Sequence, residues 1–420
     1  MAQALPARLD AHFGIDPPAA DDAPALSPAA VPGDIRLAAY EDLSAIERDW
    51  RAFEAHADGT VFQSFDCLAS WQRHIGVRHG VRPAIVVGRD SAGAILFLLP
   101  LSVRSAGLAR ELAWLGSALC DYNAPLLAPG FSERFARAHF LSLWANIAQC
   151  LQSNPRLRYD FINLTKMPEL VGAQVNPMLG LCVTINPSGA YLTHLAGDWE
   201  TFYAAKRSSA TRRRDRTKRK RLSEYGEVRF INPASDSETL HTLDTLMAQK
   251  ARSLARMGVG NLFAKPGHAE FYRALATDPA TRHLVHVSRL DVGATAAAIN
   301  LALTYRDCYY HLLASYDDGE VSRFGPGAAH LHDLLHQAID RGFHVFDFTI
   351  GDERYKRDWC DTELKLYDHI AAATWRGALV ATPMLAAQRL KQWIKRTPVL
   401  WSAFSTGRAL VGSLARKVCG

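Results

Sequence analysis

SRFGPGAAHLHDLLHQAIDRG (residues 322–342) runs directly into FHVFDFTIGDERYKRDW (residues 343–359), and together they read as a glycine turn, a helix and a buried strand. Gly325, Pro326 and Gly327 open the helix with a backbone that can approach a ligand closely. Pro326 presets φ for the first turn, where unpaired N–H groups point outward and favour an anion. Leu331, Leu334, Leu335, Ala338 and Ile339 recur at the i, i+3, i+4, i+7, i+8 spacing of one buried face, and Gly342 stands where a left-handed C-terminal residue is wanted. Residues 345–350 (VFDFTI) have strand composition without alternation, as expected of a strand covered on both faces, and so place Asp347 inside the fold.

Outward from this stretch, an earlier part of the chain repeats its order. VVGRDSAGAILFLLPL (86–101) and HVSRLDVGATAAAINL (286–301) match at a constant offset, sharing Val87/Val287, Arg89/Arg289, Gly93/Gly293, Ala94/Ala294 and Leu101/Leu301. Each reads as a β-hairpin turning at its glycine. LLAPGFSERFARAHFLSLWANI (126–147) followed by YDFINL (159–164) parallels the glycine turn, helix and strand, with Asp160 answering Asp347. Hairpin, strand, turn, helix and strand in the same order twice imply a duplicated α/β domain with a boundary near residues 186–189. The first copy keeps only Pro129-Gly130 of the turn, so a phosphorylated ligand is expected on the second.

The chain of 420 residues is long enough for two cores. Residues 1–33, rich in Ala, Pro and Asp, read as a disordered leader; 34–187 and 188–375 read as the two domains, and 376–420 as a basic amphipathic tail. No stretch approaches the roughly 20 apolar residues of a transmembrane helix. Seven widely spaced cysteines without a CxxC pair suggest a reducing, cytoplasmic setting and no structural zinc. The net charge of +6 is unevenly placed: residues 206–221 hold ten cations against Asp215 alone, and residues 374–420 hold eight and no acid. Two surfaces facing anions are therefore expected, whether phosphates, lipid head groups or acidic sugars.

The segments FQSFDCLASWQRH (62–74), SALCDYNAPLL (117–127) and KRSSATRRRDRTKRKRLSEYGEV (206–228), with the GPG helix and FDFTIGDERYKRDW (346–359), resemble the GNAT-type acyltransferases in tandem form. That form is similar to the FemABX aminoacyl-transferases and, more closely, to the CelD-like acyltransferases of cellulose and exopolysaccharide synthesis. The resemblance spans roughly residues 35–375. It implies two tandem GNAT-like domains, each a mixed, mostly antiparallel sheet flanked by helices, with the second catalytic. It also implies acyl-coenzyme A, most simply acetyl-CoA, bound at the turn by Arg323, Phe324, Gly325, Gly327 and Ala328. Ser322 stands where the usual coenzyme A signature has Arg or Gln, with Arg323 one place late, so an aminoacyl-tRNA donor of the Fem kind stays open.

Acyl transfer to an amine needs a base, oxyanion donors and an acid for the leaving thiolate. Asp347 in its buried strand is the candidate base. Asp352 and Glu353 follow the strand end, where active sites of open sheets gather, as candidates to hold an acceptor amine or hydroxyls. The resemblance places a Tyr-Lys pair at Tyr355 and Lys356, the first to protonate a thiolate and the second to hold an acceptor phosphate or carboxylate. Glu353 completes the catalytic set, and Arg212, Arg213 and Arg216 of the basic run are read as substrate-binding. His330, His332 and His336 lie on the polar side of the helix and lack an HExxH glutamate, so no metal site is read there. The expected activity is transfer to an amino sugar or lipid-linked glycan precursor. A third reading is a non-catalytic binder of anionic lipid, nucleic acid or a cyclic dinucleotide, for which RRRDR (212–216) offers the loose RxxxR pattern. The tail alternates apolar and basic faces, as an interfacial helix on anionic lipid or a helix packed on the domains would.

Overall fold

The computed structural model describes residues 35–396 apart from 118 and 136; the expected leader, and the tail beyond residue 396, lie outside the described residues. Two sheets carry the fold. The first runs in the spatial order Arg36–Tyr40, Arg82–Arg89, Ile95–Ala106, Ala109–Trp114, Phe161–Pro168, Leu366–Ala372, Thr184–Ile185. The second runs Val228–Ile231, Val285–Val292, Thr295–Tyr305, Cys308–Tyr316, Val345–Ile350, Ala190–His194, Thr362–Leu364. Their neighbours are antiparallel except for one pair in each, Ala109–Trp114 with Phe161–Pro168 and Cys308–Tyr316 with Val345–Ile350. Each parallel pair is linked through a crossover helix, Arg137–Ser153 and Pro326–Asp340 respectively, as parallel pairing requires.

The hairpins form where the glycines predict: Gly93 and Gly293 both take positive φ, 91° and 59°. The helix Pro326–Asp340 begins after Gly325 in left-handed conformation and buries its leucine stripe. Gly342, at φ 78°, donates to the Ile339 carbonyl at 2.9 Å, and the Phe343 N–H reaches Ala338 at 3.0 Å; together they close the helix end. His330 departs from the expectation of a polar-side histidine: it is 3% exposed, with Nε2 3.0 Å from the Ser288 hydroxyl. It sits beside Leu331 and one turn before Leu334, so the buried stripe is wide enough to take it in.

The sheets exchange strands. Ala190–His194 lies between the halves in sequence and pairs with Val345–Ile350, whereas Leu366–Ala372, near the chain's end, pairs back onto Phe161–Pro168. The largest core cluster draws Trp50, Phe62, Leu68 and Ile85 from the first half and Leu246, Phe271, Leu301 and Tyr310 from the second. Burying one apolar surface from both sides ties the halves into one compact unit.

Asp160 does not answer Asp347. It precedes its strand, accepts from the Arg110 N–H at 2.8 Å and caps the tail helix Trp375–Arg396 through the Thr374 hydroxyl at 2.7 Å. The two halves instead share a kink: pairing skips at Leu164/Met167 and at Asp347/Ile350, and Lys166 and Thr349 inside the two irregularities both have positive φ, 59° and 58°. By that alignment Leu164 occupies the place of Asp347.

A candidate active site at the parted strands

Strands Cys308–Tyr316 and Val345–Ile350 pair over Cys308/Val345, Tyr309/Phe346 and Tyr310/Asp347, and pairing ends there although both strands continue. The carbonyl of His311, next in line, accepts from the Thr349 hydroxyl at 3.3 Å. Thr349 is β-branched at positive φ, a conformation that costs about 1–3 kcal/mol and persists only where surroundings impose it. Its N–H donates to Asp347 Oδ1 at 2.7 Å, which with the Thr349–His311 bond holds it there.

Asp347 is 4% exposed, and the same oxygen accepts from the Tyr122 hydroxyl of the first half at 2.7 Å. Burial pushes its carboxyl up to about 7, against the two hydrogen bonds that favour the anion. Asp121, beside Tyr122, lies against the Thr349 hydroxyl and the Ile350 N–H, and burial raises it too. Its loop is tied down by Lys166, whose Nζ donates to the carbonyls of Cys120 at 2.8 Å and Ser117 at 3.3 Å.

Lys356 is 3% exposed. Its ammonium is turned inward onto the carbonyls of Ile350 at 2.9 Å and Thr349 at 3.3 Å, with Glu353 at 3.0 Å. Gly351, at φ 133°, makes this possible, since a Cβ there would lie 2.4 Å from the Glu353 carboxylate and 2.9 Å from Lys356 Nζ. Tyr355 is 37% exposed, edge-on to Phe348, and burial with nearby Glu353 raises its hydroxyl above the usual range. Asp352 accepts from the Gly189 N–H at 3.4 Å where the chain passes from the first sheet to the second. Lys250 reaches the same neighbourhood from helix Asp236–Arg256, its Nζ on the Ala314 carbonyl at 3.1 Å, and burial lowers its pKa. His311 is buried and held neutral, pushed down to about 3 by burial and the cations Lys356 and Lys250.

On the outer side of the second sheet, a cleft of about 280 Å³ opens between the basic helix Ser209–Ser223 and the start of helix Pro326–Asp340. Arg212, Arg216, Lys218 and Arg219 line it with Gly325 and Ala328. A Cβ on Gly325 would stand 4.0 Å from Lys218 Nζ. Arg219 Nη1 donates to both carboxylate oxygens of Asp333 on the opposing helix, at 2.8 and 2.9 Å, and Arg207 pairs with Asp215 and Asp358, but Arg212, Arg216 and Lys218 form no ion pair among the described residues. Three cations without an ion pair among the described residues therefore line the cleft beside the positive end of that helix, a charge distribution that favours an anion. Arg213 is exposed and does not line the cleft. Arg323 is turned onto its own Phe324 ring and the Tyr225 hydroxyl at 2.6 Å, and Gly327 backs onto Tyr316.

Tyr122, Asp121, Lys166 and Lys250 were not singled out from sequence. The only signal for the first two was a polar Asp-Tyr-Asn interrupting apolar residues in SALCDYNAPLL.

Residues 209–357 match the family described as Acetyltransferase (GNAT) domain. No curated protein sequence matches the chain. Among solved structures the chain resembles FemX, with TM-score 0.52 at 11% identity over 77% of this chain and 96% of that one. A conserved protein of unknown function from Bacteroides thetaiotaomicron VPI-5482 gives 0.49 at 13% identity over 80% and 99%, and a tandem GNAT protein from the clavulanic acid biosynthesis pathway 0.44 at 12% over 81% and 99%. The fold, two mostly antiparallel sheets flanked by helices, is similar to that of FemX, and residues 209–357 in the second half are similar to the GNAT acetyltransferase domain family.

Proposed function

We propose that the chain is an N-acyltransferase that takes an acyl group, most simply acetyl, from coenzyme A. The acceptor is the amine of an amino sugar or of a lipid-linked glycan precursor, in the CelD-like manner, for a cell-envelope polysaccharide. Residues 188–375 carry the chemistry in this reading and residues 34–187 complete the site, with the protein working at the cytoplasmic face of the membrane.

The observation that carries the reading is that the second half holds both a cation-lined cleft at a helix start and a buried carboxyl at the point where two parallel strands part. The pyrophosphate of the donor fits the first, through Gly325, Ala328, Arg212, Arg216 and Lys218, and the thioester arm extends toward the second. Asp347, with its carboxyl near neutrality, accepts the proton lost as the acceptor nitrogen bonds to the thioester carbon. The C–S bond then breaks, and Tyr355 returns a proton to the departing thiolate. Lys356, bound to the strand-end carbonyls, positions the loop that carries Tyr355, Asp352 and Glu353.

Calorimetric titration of acetyl-CoA into the full chain and an Ala328→Glu variant tests it. Saturable binding that is lost in the folded variant, whose new carboxylate repels the pyrophosphate, supports the assignment; no binding by the wild type overturns acetyl-CoA as donor. The exposed cations of the basic helix favour one second reading, a donor carried on charged tRNA. Transfer of a labelled aminoacyl group from tRNA in the same assay would replace the first reading with the second.

A further inference from the structure

The tail helix Trp375–Arg396 is clamped to the first sheet in one rotational setting. At its start, Ala373 and Thr374 donate their N–H groups to the Asp160 carbonyl at 2.8 and 3.0 Å. Gly377 packs so closely that a Cβ would stand 1.8 Å from that carbonyl oxygen. Ala381 is 2% exposed against Ala109 and Phe161. Gln388, 9% exposed, bonds Asp368 and accepts from the Thr184 hydroxyl at 3.2 Å. Gly377, Ala381, Met384 and Gln388 thus define the inward face.

At about 100° per residue, Trp375, Leu379, Ala386, Leu390 and Trp393 fall within roughly 60° of one another on the opposite side, along roughly 27 Å of helix. Trp375 is 71% exposed, Leu379 69%, Leu390 54% and Trp393 57%. The clamp prevents the helix from rolling to cover them. A contiguous outward stripe of large apolar side chains marks an interaction surface. Its charge surroundings name the partner: Arg376 and Arg389 flank the stripe exposed, one on each side, and beyond Asp368 the sequence holds no acidic residue to its end.

We propose that this face docks on an anionic lipid bilayer, with the helix axis in the membrane plane, the Trp and Leu side chains among the upper acyl chains and the cations on phosphate head groups. An exposed stripe of Trp375, Leu379 and Leu390, bordered on its own helix by Arg376 and Arg389, matches such an interface. The inference deepens the membrane-face placement proposed above, yet it rests on neither the identity of the donor nor that of the acceptor, so it stands or falls apart from the acyl-transfer reading.

Flotation of the full chain with phosphatidylglycerol vesicles, against phosphatidylcholine vesicles and against a Trp375→Ser, Leu379→Ser, Leu390→Ser variant, tests the proposal. The substituted side chains point away from the clamp, so an unchanged thermal melt is expected and confirms folding. Flotation with phosphatidylglycerol alone, accompanied by a blue shift of tryptophan emission and reduced at least tenfold in the variant, is the supporting result. Absence of flotation overturns the proposal. Flotation that persists undiminished in the variant moves the lipid contact to the helix Ser209–Ser223 and overturns it equally. A wild-type dimer by light scattering that the variant abolishes, without flotation, assigns the stripe to a second copy of the chain and does the same.

Discussion

The Tyr122 hydroxyl donates to Asp347 Oδ1 at 2.7 Å, joining residues 225 positions apart and linking the two halves of the fold at the buried carboxyl of the second. The first half is therefore part of the candidate site as well as its support. Because the hydrogen bond favours the anion, it counters the burial that pushes Asp347 up to about 7.

Tyr122→Phe removes that donor and leaves the carboxylate less well satisfied. With Asp347 as base, kcat/KM follows its ionised fraction, so the acidic limb of the wild-type profile falls near pH 7 and moves to higher pH in the variant. The loss of stability is about 1–3 kcal/mol, as for hydrogen bonds to charged groups. A pH profile of acyl transfer in both proteins checks the shift; an unmoved limb removes Asp347 from the base role.

Asp347 also makes stability depend on pH. Its folded-state pKa of about 7 lies above the ordinary carboxylate value of 3.8, so the native state holds a proton that the unfolded chain has lost. Stability then falls as pH rises from about 4 through about 7, by at most on the order of 4 kcal/mol. Asp347→Asn keeps an acceptor for Tyr122 and Thr349 without the charge, and it is expected to flatten the fall of Tm between pH 5 and 8 while abolishing transfer. Thermal melts across that range measure it.

Lys356→Met leaves the carbonyls of Thr349 and Ile350 unsatisfied in a buried site. The expected cost is about 2–4 kcal/mol, read as a lowered denaturation midpoint at constant m. Glu353→Gln should cost less than about 1 kcal/mol, because Glu353 is 57% exposed and solvent screens its pairing with the ammonium.

Arg216→Ala and Lys218→Ala should each weaken acetyl-CoA binding about 3- to 10-fold and flatten its dependence on salt, since both line the cleft. Arg213→Ala, a loss of the same charge outside the cleft, should leave affinity unchanged. Titrations at two ionic strengths separate the cases.

Gly377→Val drives a side chain into the Asp160 carbonyl and must displace the tail helix from the sheet. A cost of about 1–3 kcal/mol is expected, confined to that helix. Hydrogen exchange should speed over residues 375–396 and stay unchanged in Val345–Ile350.

Much of this protein was legible in its sequence where the determinant is local. The glycines at 93, 293, 325 and 342 mark turns and a helix end because only that residue takes their left-handed backbone cheaply, and the leucine stripe at 331–339 marks a buried helix face because 3.6-residue periodicity is a property of the chain itself. The burial of Asp347 followed from its apolar neighbours in the same strand. What only the tertiary structure decided is what each of these meets. No local pattern brings Tyr122 to Asp347, returns Leu366–Ala372 to the first sheet, turns Lys356 inward or leads Lys250 to the parted strands, since each depends on which distant segments share a core. The same reason explains Asp160 and His330: composition placed one as a counterpart of Asp347 and the other in solvent, whereas packing made the first a helix cap and buried the second. The tail's alternation fits both a packed and an exposed helix. The close contact of Gly377 with Asp160 decided which face turned inward and left Trp375, Leu379 and Leu390 outward.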